Sequence, residues 1–329
     1  MKAVSLVSAG LDSLLAARII QNEGIKIIPL FFKTPFNPKD KLDKQLEIIY
    51  QNLRIKPEVV SIEEDFLEIL KKPCYGFGQN MNPCIDCKIL MFTKAKALMS
   101  NFGAEFVITG EVLGQRPMSQ NRQALKTIEK KSGLKGLVLR PLSAKLLPPA
   151  LPENKGWIKK ENLFAFYGRS RKPQLGLAKQ LRINNYLTPA GGCLLTDPGF
   201  AKRLKELILH QELSLDNIEL LKVGRHFRIF KDTKLIVGRN EKENNIILDL
   251  VRKDDHLFSP SQGIRGPVAL GRGSFNEGLI ELSCRIICRY FDLDSKTKGR
   301  VVYKRVLDKK EKIKEVTPID EDTLLTLRI

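Results

Sequence analysis

Six cysteines are spread unevenly along the 329 residues, and three of them stand where sulfur can react or bind. Cys84 and Cys87 form a CxxC pair directly after Asn82-Pro83, and Cys193 follows the small residues Ala190-Gly191-Gly192. Thiolates are soft metal ligands and strong nucleophiles, so these three are read first as ligands or as reacting groups. A structural zinc normally takes four protein ligands, and the sequence places no fourth. Cys74 has no evident chemical setting. Cys284 and Cys288 lie one helical turn apart in the apolar stretch LIELSCRIICRYF, which predicts core thiols rather than a metal pair. The three histidines, His210, His226 and His256, are assigned no catalytic part.

A second group of chemically useful residues opens the chain. Ser8-Ala9-Gly10-Leu11-Asp12-Ser13 follows a short apolar run and leads directly into a helical pattern. Small residues let backbone N–H groups approach an anion, and the start of a helix adds unpaired amides and the positive end of its dipole. The segment reads as a phosphate cradle, although a serine and an aspartate at a helix start are also ordinary capping residues. It has neither the GxxxxGK[ST] order of a P-loop nor a GxGxxG fingerprint. A third segment, Thr109-Gly110-Glu111-Val112-Leu113-Gly114-Gln115-Arg116-Pro117-Met118-Ser119-Gln120, leaves an apolar strand and enters a polar loop.

The elements that must position these groups alternate. KAVSLVS, IKIIPLFF, PEVVSI and EFVITG read as short buried strands. Between them lie the amphipathic patterns LDSLLAARIIQNEG, DKLDKQLEIIYQNL and CKILMFTKAKALMSNFG, the first ending at Gly24 and the last at Gly103. Such alternation predicts an α/β unit with a parallel sheet and its functional loops at the carboxyl ends of the strands. Three prolines between residues 145 and 156 mark a linker or an extended crossing. HFRIF, KLIVG, GPVAL, a helix near 275–291 and RVVYKRV then indicate a smaller α+β domain. The expected division is residues 1–150 as the nucleotide-binding domain, 151–213 as an extension completing it and carrying Cys193, and 214–329 as a separate domain.

The formal net charge of +19 favours a polyanionic partner, nucleic acid ahead of an anionic membrane. Residues 296–314 hold nine Lys or Arg against one Asp and one Glu, with Tyr303 among them. No stretch approaches the roughly 20 apolar residues of a membrane span. The opening MKAVSLVSAGLDS is unlike a signal peptide, so a cytoplasmic protein is expected.

These motifs carry resemblances. SAGLDS resembles the SGGxDS loop of the ATP pyrophosphatases, with Ala9 where that pattern has glycine. TGEVLGQRPMSQ is similar to the TGExLGQxxSQ stretch of the ThiI family of tRNA 4-thiouridine synthases, and LVLRPLSA to the LRPL segment that follows it there. Asn82-Pro83-Cys84-Ile85-Asp86-Cys87 resembles the NPxxxC element of the MnmA type of tRNA 2-thiouridylase. Cys87 then takes the position of the first functional cysteine and Cys193 that of the second, with Cys84 extra. Val223-Gly224-Arg225-His226-Phe227 and Val237-Gly238-Arg239-Asn240, with the later basic strand, look like an NFACT-R RNA-binding domain.

The resemblance implies a PP-loop enzyme that adenylates a uridine carbonyl of tRNA with ATP and Mg²⁺ and replaces the oxygen with sulfur. The ThiI-like match favours 4-thiouridine, at tRNA position 8, and the NPxxxC element 2-thiouridine. A lysidine-type synthase and an RNA-binding factor without catalysis are the competing readings. Ser8, Ala9, Gly10, Leu11, Asp12, Ser13, Thr109 and Gly110 would hold ATP, with Asp12 orienting Mg²⁺ or water. Cys84, Cys87 and Cys193 match the three-ligand pattern that holds a 4Fe-4S cluster with one iron open. In the alternative, Cys87 and Cys193 are a persulfide and resolving pair without a cluster. Sulfide or a sulfur-carrier protein would be the donor, and a homodimer is a further expectation. With the phosphate loop starting at Ser8, the THUMP and rhodanese domains of the familiar 4-thiouridine synthase are not expected. RNA contacts are therefore expected from Arg116, Arg225, His226, Arg239, Lys304 and Arg305.

Overall fold

A computed structural model describes residues 1–37, 42–187, 193–294, 297–308 and 310–329. The chain forms two compact units, Met1–Asp197 and Pro198–Ile329. The first contains β1 (Lys2–Val7), α1 (Leu11–Asn22), β2 (Lys26–Lys33), α2 (Leu42–Leu53), β3 (Glu58–Ser61), α3 (Glu63–Lys71), α4 (Cys84–Phe102), β4 (Phe106–Thr109), α5 (Arg122–Ser132), β5 (Val138–Leu139), α6 (Leu151–Asn154) and α7 (Lys172–Gln180). Its five strands are all parallel, in the order β3-β2-β1-β4-β5. The parallel sheet expected from the alternating pattern is thus observed.

The strand order explains where function sits. From β1 the chain winds outward through α1 and β2 to β3, then crosses back and continues through β4 to β5 on the other side. Right-handed crossovers place α1 and α2 on one face of the sheet and α3, α4 and α5 on the other. The winding reverses between β1 and β4, and the loops leaving their carboxyl ends separate there into a crevice. Those loops are Ser8–Gly10 and Gly110–Gln120, the two motifs singled out by their composition. Beneath them Ala3, Val7, Leu14, Ile27, Phe31, Phe106 and Ile108 form a dry core. Gly103 closes α4 in the left-handed region, φ +61°, with its N–H returned to the last turn.

The second unit contains α8 (Pro198–Leu209), α9 (Leu215–Leu221), β6 (Arg225–Phe230), β7 (Thr233–Val237), α10 (Glu241–Asp249), β8 (His256–Pro260), β9 (Ala269–Arg272), α11 (Glu277–Cys288), β10 (Gly299–Arg305), β11 (Lys312–Val316) and α12 (Glu321–Leu327). Its six strands pair antiparallel in the order β11-β10-β8-β9-β7-β6. Two apolar clusters cover β7, one including β6 and α11 and the other α9 and α10. β7 is consequently buried along its whole length. Cys284 and Cys288 are buried in the α11 cluster, as their spacing predicts.

The division between the units lies after Asp197, earlier than the 213/214 boundary expected from composition. The reason is ionic. Glu206 of α8 pairs with Arg228 of β6 and, at 2.8 Å, with Lys234 of β7, and Arg228 forks onto Glu212 at 2.8 and 2.9 Å. These bonds tie α8 to the antiparallel sheet. Among the described residues no helix is long and apolar enough to cross a membrane.

Candidate functional site

The anion-binding loop is built from its own backbone. Ala9 is fully buried with φ +55°, the conformation glycine adopts most easily. The Ser13 hydroxyl accepts from the Ser8 N–H at 3.2 Å and donates to the Gly10 carbonyl at 2.9 Å, which closes the turn. Gly10 caps α1 with no side-chain hydrogen bond, so the capping alternative for this serine and aspartate is not realised. The first amides of α1 remain available to an anion. Leu11 is buried and can serve a ligand through its backbone alone.

The second loop presses directly on the first. A Cβ on Gly110 would lie 2.4 Å from the Asp12 carbonyl carbon and 2.5 Å from both the Asp12 oxygen and the Ser13 nitrogen. Only glycine permits that approach. The Thr109 hydroxyl does not face the loop; it donates to Glu111 at 3.1 Å. Glu111 is buried and takes the Arg140 Nε–H at 3.0 Å and the Lys88 ammonium at 3.5 Å, while Arg140 also pairs with Glu129. Burial pushes the Glu111 carboxyl up, but Lys88 and Arg140 outweigh it and hold it below the usual range. This network joins the TGE motif, the LRPL segment and the helix bearing the CxxC pair. Lys88 and Arg140 were not singled out in the sequence.

Asp12 looks into the crevice between the loops. Its Oδ2 receives the Gln115 amide at 3.1 Å and lies 3.5 Å from the Arg171 guanidinium. Its Oδ1 is buried with no hydrogen-bond partner among the described residues. Burial raises the Asp12 pKa, opposed by Arg171, the Gln115 bond and Arg116. A half-desolvated carboxylate with one orphaned oxygen suits a hard divalent cation, which prefers oxygen ligands. Arg171, which precedes α7, is a second residue that composition did not reveal. Its segment is strapped on by a Leu187 N–H bond to the Ala9 carbonyl at 2.9 Å and a Gly168 N–H bond to the Leu113 carbonyl at 2.8 Å.

The CxxC pair begins α4 instead of preceding it, with Cys84 as the first residue and Cys87 one turn on. Cys193 is brought alongside by two bonds: the Met81 N–H to the Leu195 carbonyl at 3.2 Å, and the Asn80 side chain to the Thr196 carbonyl at 2.8 Å. Ala190, Gly191 and Gly192 lie outside the described residues. Burial pushes the Cys87 thiol up to about 12, with the Cys193 and Cys84 sulfurs adding to it and Lys88 and Arg116 opposing. Cys193 is exposed by area, yet protein surrounds most of its thiol. That desolvation, with Cys84 adding and the Leu195 amide and Arg116 opposing, holds it at about 11. The three sulfurs therefore sense one another as neighbours. Among the described residues no group of three His, Cys, Asp or Glu is already arranged to hold a metal ion. As a donor set, three mutually close thiols still match a soft metal or cluster.

Arg116 connects the two halves of the site. This exposed guanidinium acts electrostatically on Asp12 and on both Cys87 and Cys193. The anion loop and the thiols accordingly share a single positive neighbour.

Of the remaining expected RNA contacts, His226 is corrected by the structure. It is 2% exposed, its Nε2 is 2.8 Å from the Val223 carbonyl oxygen, and burial drives its pKa well below the ordinary value. Arg225 stacks over Tyr290 at 4.4 Å and donates to the Gly238 carbonyl at 3.0 Å. Arg239 is half-exposed and forks onto Glu243, Lys304 meets Glu311 at 2.8 Å, and Arg305 meets Asp254 at 2.6 Å.

Comparison with known proteins matches two separate segments of the chain. Residues 1–145 match the family described as thiamine biosynthesis protein (ThiI), and residues 224–327 match the NFACT protein RNA binding domain. A probable tRNA sulfurtransferase of Thermococcus kodakarensis is 27% identical over 146 residues, 43% of this chain and 36% of the relative. A tRNA-specific 2-thiouridylase MnmA of Sulfurimonas denitrificans is 30% identical over 113 residues, 32% of this chain and 33% of the relative. The chain thus spans about a third of the length of these curated relatives. A solved 4-thiouridine synthetase in complex with RNA and bound ATP aligns at 21% identity over 55% of this chain and 51% of that one, with a TM-score of 0.36. That score is too low for a shared site to be read from it. On the sequence matches, residues 1–145 of this chain are similar to the ThiI family and residues 224–327 to the NFACT RNA-binding domain.

Proposed function

We propose that the protein is an ATP-dependent tRNA thiolase. The observation that carries this reading is the Gly110–Gln120 loop, which abuts the phosphate loop at Asp12 and is tied through buried Glu111 and its 3.5 Å pair with Lys88 to the helix bearing Cys84 and Cys87. A phosphate cradle alone suits many adenylating enzymes. A cradle joined in this way to a pair of cysteines suits one that adenylates and then delivers sulfur.

Uridine carbonyl carbon resists substitution because oxygen leaves poorly. In the proposed reaction the carbonyl oxygen attacks the α-phosphorus of ATP, forming an O–P bond as the bond to pyrophosphate breaks. The amides at the start of α1 and the Arg116 and Arg171 guanidiniums stabilise the departing charge. Asp12 would ligand Mg²⁺ through its orphaned oxygen. A sulfur nucleophile then adds at the activated carbon and AMP leaves, so that carbon exchanges one C–O bond for one C–S bond. Cys84, Cys87 and Cys193 would hold a 4Fe-4S cluster, whose open iron supplies a binding place for hydrosulfide. The second reading, a persulfide on Cys193 or Cys87 resolved by the other, is favoured by their proximity and by the lack of a ready-made metal group among the described residues.

The ThiI match over residues 1–145 supports 4-thiouridine as the product over 2-thiouridine. tRNA binding is supported by the NFACT match and the +19 charge. Two assays test the proposal. Purified anaerobically, the cluster form should contain on the order of four irons per chain. Pyrophosphate and AMP should be released from ATP only when tRNA and Mg²⁺ are present, and release that ignores tRNA would defeat the thiolase reading.

A further inference from the structure

Tyr167 combines a fixed backbone with an open ring. Its main chain bridges to Leu113, and the flanking Gly168 N–H donates to the Leu113 carbonyl at 2.8 Å. The Ser143 hydroxyl accepts from the Leu113 N–H at 3.0 Å and donates to the Phe166 carbonyl at 2.7 Å, which locks the two segments together. The ring covers Gly114: a Cβ there would lie 3.0 Å from Tyr167 Cε2 and 3.1 Å from Cζ. Next along the chain, the Gln115 amide donates to the Asp12 carboxylate at 3.1 Å. Tyr167 therefore sits beside the crevice that joins both halves of the site.

Tyr167 is nevertheless 69% exposed, the most open aromatic residue among the described residues. Neighbouring Phe164 and Phe166 instead pack against each other, with centroids 5.0 Å apart. On the two segments that meet here, Arg116 lies two residues after Gly114, and Arg169 and Lys172 follow Tyr167; all three are exposed, and each can track a phosphate. An aromatic face backed by protein, open to solvent and edged by cations, is the arrangement on which single-stranded nucleic acid bases stack.

We infer that Tyr167 is the stacking platform for a base of the RNA substrate as its uridine enters the crevice. This rests on the RNA-thiolation reading. A base must leave its own stack to reach a buried reaction centre, and a waiting aromatic face compensates that loss. The adenine of ATP is the other source of a nucleobase. A ring this open favours the RNA, because small nucleotides are usually held in concave pockets that cover most of their surface.

The test uses the full chain and an unmodified tRNA transcript, with KM for tRNA and for ATP measured separately. Tyr167→Ala should raise the tRNA KM by about 10- to 100-fold, the range of one base–aromatic stack. Tyr167→Phe should restore it, and the ATP KM should not move. An unchanged tRNA KM, a change in the ATP KM instead, or no rescue by phenylalanine would each overturn the inference. Ultraviolet crosslinking of a 5-iodouridine-substituted transcript to the wild-type chain separates the two claims, because it needs no turnover. A crosslink at Tyr167 supports the platform even if no thionucleoside forms. Crosslinks confined to residues 224–327 overturn it even if thiolation proceeds.

Discussion

Replacing Gly110 with alanine forces a methyl group into backbone. The nearest atom of the phosphate loop would be 2.4 Å away, where an ordinary Cβ contact begins at 3.4 Å, so the two loops must separate by about 1 Å. No side chain can swing aside, because the atoms met are the carbonyl of Asp12 and the amide of Ser13. Overpacking of this kind costs about 1–3 kcal/mol, which for a unit of this size lowers the melting temperature by roughly 2–10 °C. The larger effect is on chemistry: a displacement of about 1 Å between a positioned substrate and its catalytic groups costs about 10²-fold in rate. The assay pairs thermal unfolding with tRNA-dependent pyrophosphate release at saturating ATP. Gly176→Ala is the control, since a Cβ there meets nothing within 4 Å and alanine favours its helix by about 1 kcal/mol. If Gly110→Ala matched wild type in both melting temperature and turnover, the two loops would not be coupled as described.

Three further outcomes follow from the same geometry. Glu111→Ala leaves Arg140 and Lys88 without their shared buried carboxylate and should reduce unfolding free energy in urea by about 3–5 kcal/mol; a loss under 1 kcal/mol would show that the network is ornamental. His226 binds its proton less readily in the folded chain than in the unfolded one, so its contribution to stability is complete above about pH 6.5 and is lost as pH falls toward the depressed folded value. Between pH 7.5 and 5.5 wild type should therefore lose up to about 1.4 kcal/mol more than His226→Asn, and equal losses would place that imidazole in solvent. Asp12→Asn can keep the Gln115 contact and should fold normally, yet lose about 10²-fold or more in Mg²⁺-dependent turnover; retention of activity would remove Asp12 from the metal's coordination.

Local pattern was enough to reveal the parallel sheet and both loops of the crevice, because strands buried on both faces and helices with an apolar stripe have distinct periods. Ala9 was visible as a departure, and its φ of +55° shows the glycine-type conformation kept at the cost of some strain. What stayed hidden depends on contacts between distant positions. Arg171 and Asp12 are far apart in sequence, as are Lys88, Glu111 and Arg140, and no short motif encodes such pairings. His226 misled because a histidine between arginine and phenylalanine suggests a surface strand. In the fold the imidazole is enclosed, with Val223 and Lys234 nearby. The division after Asp197 rests on a similar pairing of separated positions, Glu206 of α8 with Arg228 and Lys234, which no local pattern encodes.

The central claim is that one crevice adenylates a tRNA uridine and supplies sulfur to it. Its most direct test is mass spectrometry of nucleosides from tRNA incubated anaerobically with the protein, ATP, Mg²⁺ and sulfide. The account predicts a thiouridine that requires ATP and disappears in Cys87→Ala and Cys193→Ala. No thionucleoside with any sulfur donor, from a protein that still binds tRNA, would contradict it.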